Sequence, residues 1–173
     1  TRPTGMLENS FFKSTTDQIK NHLHYLTFYF QGEPYLNPSF LDMVRYASDN
    51  GIYTATSTNA HYLKDEMAKK TVESGLDRLI ISIDGTTQET YQSYRIGGKL
   101  DKVIIGAKNV IKWKKELNSP TPHIIFQFLV VKPNEHQIAD VLALGKDVGV
   151  GEVRLKTAQV YEYENGNELI PSI

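Results

Sequence analysis

Ser82 and Asp84 stand two apart in the stretch "ISIDG". On a strand that spacing puts one hydroxyl and one carboxylate on a single face, opposite Ile81 and Ile83. Such a pair can grip a vicinal diol such as a ribose. The same Asp84-Gly85 also reads as a turn, with Asp84 an auxiliary cap for the helix that follows. The stretch "FYFQGEPYLNPSF" (28–40) raises a second question, because an apolar run ends in Gln31-Gly32-Glu33-Pro34. A glycine lets a ligand approach the backbone, and a carboxylate meets a donor. Equally, Glu33 can face the dipole of the next helix as an ordinary N-terminal carboxylate. Arg95 closes "TYQSYR" just before Gly97-Gly98, where the chain can double back. A guanidinium there can take a ligand carboxylate through two parallel bonds, and its alternative is a solvated surface residue. His22 and His24 share a spacing that could pinch a metal, but no third ligand follows at a sensible interval.

These residues need elements to hold them. Five short runs rich in β-branched and aromatic residues predict strands at 23–31, 52–58, 78–84, 123–131 and 152–157. Helices are expected between them. Asn37-Pro38 starts one over 38–49 that Asn50-Gly51 stops, and Gly75 ends another over 61–74. Thr86 and Glu89 form a capping box for a short helix over 86–94. Val103, Ala107, Val110, Ile111, Trp113 and Leu117 give helix 101–117 one buried face. Asn134 caps a helix over 135–148 with a stripe of Ile138, Val141, Leu142 and Val148, ended by Gly149. Strands alternating with helices imply parallel pairing and an α/β fold, in which ligands sit at the carboxyl ends of the strands. Ser57 and Asn59, Ser82 and Asp84, and Lys156 all fall at or just beyond such ends, with Gln159 and Tyr161 a few residues further on.

The composition narrows the function. At 173 residues one domain over 1–173 is expected, with no internal boundary. A net charge of -1 offers no field for nucleic acid or an acidic membrane, and no apolar run approaches the roughly 18 residues of a membrane span. A cytoplasmic location is the expectation. The chain has no cysteine, so it can form no disulfide and offer no thiolate. Nucleophile elbows and phosphate-binding glycine loops are missing from the sequence, which removes the usual support for hydrolase and kinase readings.

Taken in order, "FQGEP", "TSTNA", "ISIDGTTQETYQSYR" followed by a diglycine, and "QFLVVKPNEHQ" resemble the radical S-adenosylmethionine (radical SAM) enzymes. The resemblance runs from about residue 16 to 170 and is nearest to the branch that often carries a cysteine-rich SPASM extension. It implies a partial (β/α)6 TIM-like barrel, with this chain supplying its second to sixth strands. It also implies S-adenosylmethionine as cofactor. The amino group would fall to Gln31 and Gly32 with Glu33 beside them, the ribose to Ser82 and Asp84, and the methionine carboxylate to Arg95. Ser57 and Asn59 would face the cofactor, and the backbone near Leu129 and Val131 would flank the adenine. Gln31 stands where the family often has a glycine. The family's [4Fe-4S] cluster is held by a CxxxCxxC loop, for which this sequence has no ligand. The start at "TRPTGM" is therefore expected to follow a first strand and cluster loop that are missing here, leaving residues 23–31 as a sheet edge open to self-association. The implied reaction is reductive cleavage of S-adenosylmethionine to a 5′-deoxyadenosyl radical, with a peptide or protein as substrate. The alternatives are a cluster-free, non-catalytic α/β binding domain and, more remotely, a hydrolase using Glu33 and Asp84.

Overall fold

The computed structural model describes residues 5–158, 166–167 and 169–172. Five parallel strands form one sheet in the order β1-β2-β3-β4-β5, so sheet order and chain order coincide. The strands are β1 (Tyr25–Thr27), β2 (Tyr53–Thr58), β3 (Arg78–Ser82), β4 (His123–Val130) and β5 (Glu152–Thr157). The helices are α1 (Asn9–Ile19), α2 (Phe40–Asp49), α3 (Asp65–Glu73), α4 (Gln88–Tyr94), α5 (Leu100–Glu116) and α6 (Ile138–Val148).

Residues of β3 and β4 with one parity, Leu79 and Ile81, Ile124, Phe126 and Phe128, share a core with Val44, Ala68, Val103, Val110 and Val141 of the helices. All the helices in that core therefore cover the same face. Ser57 pairs in register with Ile80, and Ser82 with Gln127, on the opposite face. A sheet wound in one direction with helices on one face is a segment of a β/α barrel, whereas a doubly wound sheet reverses its strand order and takes helices on both faces. Helix α1 docks separately: Phe12 joins Met43, Ala47 and Ile52 in a second small cluster.

Four of the expected strands form close to their expected bounds; the first is cut from 23–31 to three residues. The chain leaves the sheet because Phe28 is drawn into an aromatic cluster, 5.5 Å from Phe12 and 5.7 Å from Phe40, and Gly32 then turns with φ +85°. The Thr86–Glu89 capping box does not form. Thr87 caps α4 by accepting from Thr90 N–H at 3.3 Å, and Thr86 N–H donates instead to Gln137 Oε1 at 2.7 Å. Asn134 is likewise no cap: it is buried and bonded backward into the sheet ends, and the chain passes through a 3-10 turn at Glu135–Gln137 before α6 begins. Leu142, assigned to the buried stripe, is exposed, whereas Gly145 packs its backbone on Val153.

Candidate functional site

The carboxyl ends of β1, β2 and β3 border a cleft of about 200 Å³ lined by Tyr29, Phe30, Gln31, Gly32, Glu33, Ser57, Thr58, Asn59, Ser82 and Arg95. Of the site residues expected from the sequence, the structure brings Gln31, Gly32, Glu33, Ser57, Asn59, Ser82 and Arg95 to this cleft. Asp84, Leu129 and Val131 do not line it.

Glu33 organises the left wall. Its Oε1 accepts from Thr58 Oγ1 at 2.7 Å and from Tyr35 N–H at 3.3 Å, and its Oε2 accepts from Asn59 N–H at 2.8 Å. One carboxylate therefore fixes the loop after β1 to the end of β2. Thr58, which sequence reasoning passed over, also accepts from Ala60 N–H at 3.0 Å, inside a tight turn where Ala60 has φ +61°. Asn59 spends its Oδ1 on His61 N–H at 3.0 Å. His61 Nδ1 lies 2.9 Å from Asn59 O, and its Nε2 accepts from Lys99 N–H at 2.9 Å, an arrangement that calls for the neutral ring with its proton on Nδ1. The turn after β2 is thereby tied to the segment following α4.

Asp84 lies two residues beyond the end of β3 at Ser82, where Ile83 still packs in the core beside Ile81 and its N–H donates to Gln127 O at 3.0 Å. Asp84 itself is only 1% exposed. Its Oδ1 accepts from Leu129 N–H at 3.0 Å and its Oδ2 from Arg95 Nε at 2.6 Å. A carboxylate this buried must be paired, and here the guanidinium and the amide supply the partners. Leu129 and Val131 are engaged in the same way: Leu129 O accepts from Asn134 Nδ2 at 2.8 Å, and Val131 N–H donates to Asn134 Oδ1 at 2.8 Å. Gly85 is where α4 comes closest, since a Cβ there would sit 2.4 Å from the backbone nitrogen of Tyr91. Tyr91 is buried, which pushes its phenol above the usual tyrosine range although the nearby Arg95 charge pulls it down. The doubling back after Arg95 is present, closed by Gly98 N–H donating to Arg95 O at 2.8 Å.

What remains free defines the chemistry. Among the described residues, the Ser57 and Ser82 hydroxyls, the Asn59 amide nitrogen and the two terminal nitrogens of Arg95 have no hydrogen-bond partner, and the Arg95 side chain is 37% exposed. A cleft offering hydroxyls, an amide donor and half of a guanidinium suits a polar ligand that carries a carboxylate. His22 and His24 are exposed, and so is Lys156; Gln159 and Tyr161 lie outside the described residues.

A Radical SAM superfamily model matches residues 13–145. The chain belongs to the radical SAM superfamily. Over 172 residues it is 27% identical to the tungsten-containing aldehyde ferredoxin oxidoreductase cofactor-modifying protein of Pyrococcus furiosus, covering 96% of this chain and 47% of that protein. Over 183 residues it is 26% identical to the PqqA peptide cyclase of Bradyrhizobium diazoefficiens, covering 96% and 45% respectively. The chain thus spans about half the length of these curated relatives. Its fold superposes on Streptococcus suis SuiB bound to S-adenosylmethionine with a TM-score of 0.76 at 13% identity, over 100% of this chain and 38% of that one. Five parallel strands in sequential order are a partial radical SAM barrel core.

The site's fit to the two groups of the superfamily differs. The unpaired donors of the cleft fit S-adenosylmethionine, whose ends are a diol and an amino acid. A [4Fe-4S] cluster does not fit these residues: the chain has no cysteine, and the described residues hold no grouping of three or more His, Asp or Glu that could bind a metal. No helix among the described residues is long and apolar enough to cross a membrane.

Proposed function

We propose that this chain is the S-adenosylmethionine-binding core of a radical SAM enzyme that modifies a peptide or protein. The observation that carries the reading is the gathering of Ser57, Ser82 and Arg95 with the Gln31–Glu33 turn at one cleft, each with hydrogen-bonding capacity to spare. The backbone at Gln31 and Gly32 would receive the amino group, Arg95 the carboxylate and Ser82 a ribose hydroxyl, with Ser57 and Asn59 alongside. Asp84, Leu129 and Val131 would support this cradle from behind rather than touch the ligand. When bound and reduced, S-adenosylmethionine supplies a 5′-deoxyadenosyl radical for hydrogen abstraction, and that chemistry is the cofactor's own. The residues here bind, orient and exclude water. The cluster of the intact enzyme would draw its thiolates from sequence other than these 173 residues. The peptide substrate is supported by the resemblance to SPASM-bearing enzymes and by the cyclase relative.

Equilibrium titration with S-adenosylmethionine tests the assignment. Ser82→Ala should weaken binding by about 2- to 10-fold, the worth of one ordinary hydrogen bond. Arg95→Lys keeps the charge but loses the planar fork, so it should fall between wild type and Arg95→Ala. Equal affinity across all of these proteins would overturn the reading.

A further inference from the structure

The end of β4 and the turn that follows it hold the segment that carries Arg95 at three points, and Asn134, Gln137 and Asp84 do not line the cleft. Asn134, 1% exposed, donates from Nδ2 to Asp84 O at 3.0 Å and to Leu129 O at 2.8 Å, while its Oδ1 accepts from Val131 N–H at 2.8 Å. Every hydrogen-bonding capacity of the amide save one acceptor lone pair is used to lock the end of β3 to the end of β4. Gln137, 3% exposed, takes the next hold. Its Oε1 accepts from Thr86 N–H at 2.7 Å, and its Nε2 donates to Thr90 Oγ1 at 3.1 Å and Thr87 Oγ1 at 3.3 Å. Those threonines form the N-terminal end of α4, and Arg95 is the residue that ends the same helix. The third hold is Asp84 itself, which receives Leu129 N–H on one oxygen and Arg95 Nε on the other.

The consequence for Arg95 is geometric. Binding through Nε fixes the plane of the guanidinium and leaves both terminal nitrogens of this cleft-lining residue without a partner, the half of the fork that can meet a carboxylate. Without its anchor the long side chain would sample several rotamers, and each would have to be frozen again when ligand binds. We infer that Asp84, Asn134 and Gln137 are positioning residues that aim Arg95, and that they set the cleft's selectivity for ligands bearing a carboxylate. This rests on the cofactor reading above, since it concerns the same arginine, but it assigns the selectivity to residues that no ligand touches.

The readout is a preference rather than an affinity. Dissociation constants are measured for S-adenosylmethionine and for its decarboxylated analogue, which keeps the sulfonium, ribose and amine and lacks only the carboxylate. Wild type should prefer the carboxylate-bearing ligand by about 10- to 100-fold, and Arg95→Ala should erase the preference. Asp84→Asn and Gln137→Ala should each cut the preference by at least about 3-fold while leaving affinity for the analogue within about 2-fold of wild type. Gln137→Glu should restore it, because one carboxylate oxygen still accepts from Thr86 N–H while the two threonine hydroxyls, acceptors in the wild type, rotate to donate to the other. Circular dichroism confirms that each variant is folded, and the mild Gln137 pair stands should Asp84→Asn fail to fold. Equal weakening toward both ligands would mark these residues as merely structural and overturn the inference, as would an unchanged preference. A distinct pattern, wild type binding neither ligand or Arg95→Ala keeping the full preference, would show that the cofactor reading itself had failed.

Discussion

Glu33 illustrates how one side chain can organise the wall of a cleft through its bonds to the protein itself. Three donors from two different elements converge on its carboxylate, at 2.7, 2.8 and 3.3 Å, so both oxygens are committed to the protein. Its role is to hold Gly32 and Gln31, with their backbone groups, at the rim of the cleft. Glu33→Gln keeps the size but places an amide nitrogen against a hydroxyl or a backbone N–H. That substitution should lower stability by about 1–3 kcal/mol in urea titration, because at least one buried donor loses its acceptor. An unchanged denaturation midpoint would mean that water replaces those bonds at no net cost. This role was only half legible in the sequence. The turn and its carboxylate could be read from "QGEP", but that the acceptors serve Thr58 and Asn59 depends on β2 lying beside the loop, a tertiary fact. Asp84 was legible as a strand-end carboxylate, but that its oxygens accept from Leu129 N–H and Arg95 Nε depends on β4 and the end of α4 lying beside it, a second tertiary fact.

Among the elements, periodicity and punctuation located four strands and five of the six helices, because hydrophobic pattern and caps are local signals, while α1 over Asn9–Ile19 went unread because its start has no side-chain cap. The positions that went astray are those where a tertiary partner outbid a local one. Asn134 would cap a helix if left alone, yet two carbonyls and an N–H from the sheet ends claim its amide. Thr86 loses its capping role in the same way to Gln137. A different link between elements gives a pH signature. Tyr35, in the 3-10 turn at Pro34–Leu36, shares a hydrogen bond of 3.0 Å with Thr71 of α3 and is buried. Burial holds its phenol well above the usual tyrosine range, with the Thr71 bond pulling weakly the other way. In the unfolded chain that phenol loses its proton near pH 10, while in the folded chain it keeps it. The unfolded state then binds fewer protons, so stability falls as pH rises above about 10 and stops falling only once the folded phenol also ionises. Tyr35→Phe should flatten this alkaline decline, measured as urea midpoints on either side of about pH 10. Thr71 keeps a partner in the variant, since its hydroxyl also donates to Met67 O at 2.8 Å. A decline as steep as that of wild type would assign the effect to another group.

For the molecule as a whole, the sheet edge is the feature with solution consequences. Among the described residues strand β1 pairs only with β2: Tyr53 N–H donates to His24 O at 3.1 Å and Phe28 N–H to Ala55 O at 2.8 Å. The backbone groups of Tyr25 and Thr27 consequently face away from β2, and they have no partner among the described residues. Beside them runs an apolar groove of about 870 Å³ whose lining includes Met6, Leu7, Phe11, Ile19, Phe30 and Leu36. Phe30 is 93% exposed. An open edge flanked by apolar side chains invites edge-to-edge pairing. The 173-residue chain should therefore self-associate with rising concentration in sedimentation velocity, and Tyr25→Lys should suppress the association. A wild-type protein that stays monomeric throughout would overturn the expectation.

Tyr29, Phe30, Gln31, Gly32 and Glu33 line both that groove and the polar cleft, one on each side of a single stretch of backbone. A shared wall gives an occupant of one space a physical route by which to act on the other. If an occupant of the groove favours the position of the wall that the cleft's ligand also favours, each raises the other's affinity by the same factor, and if they favour different positions the penalty is equally mutual. In either case assembly at the edge and ligand capture at the strand ends would be read out as one coupled equilibrium.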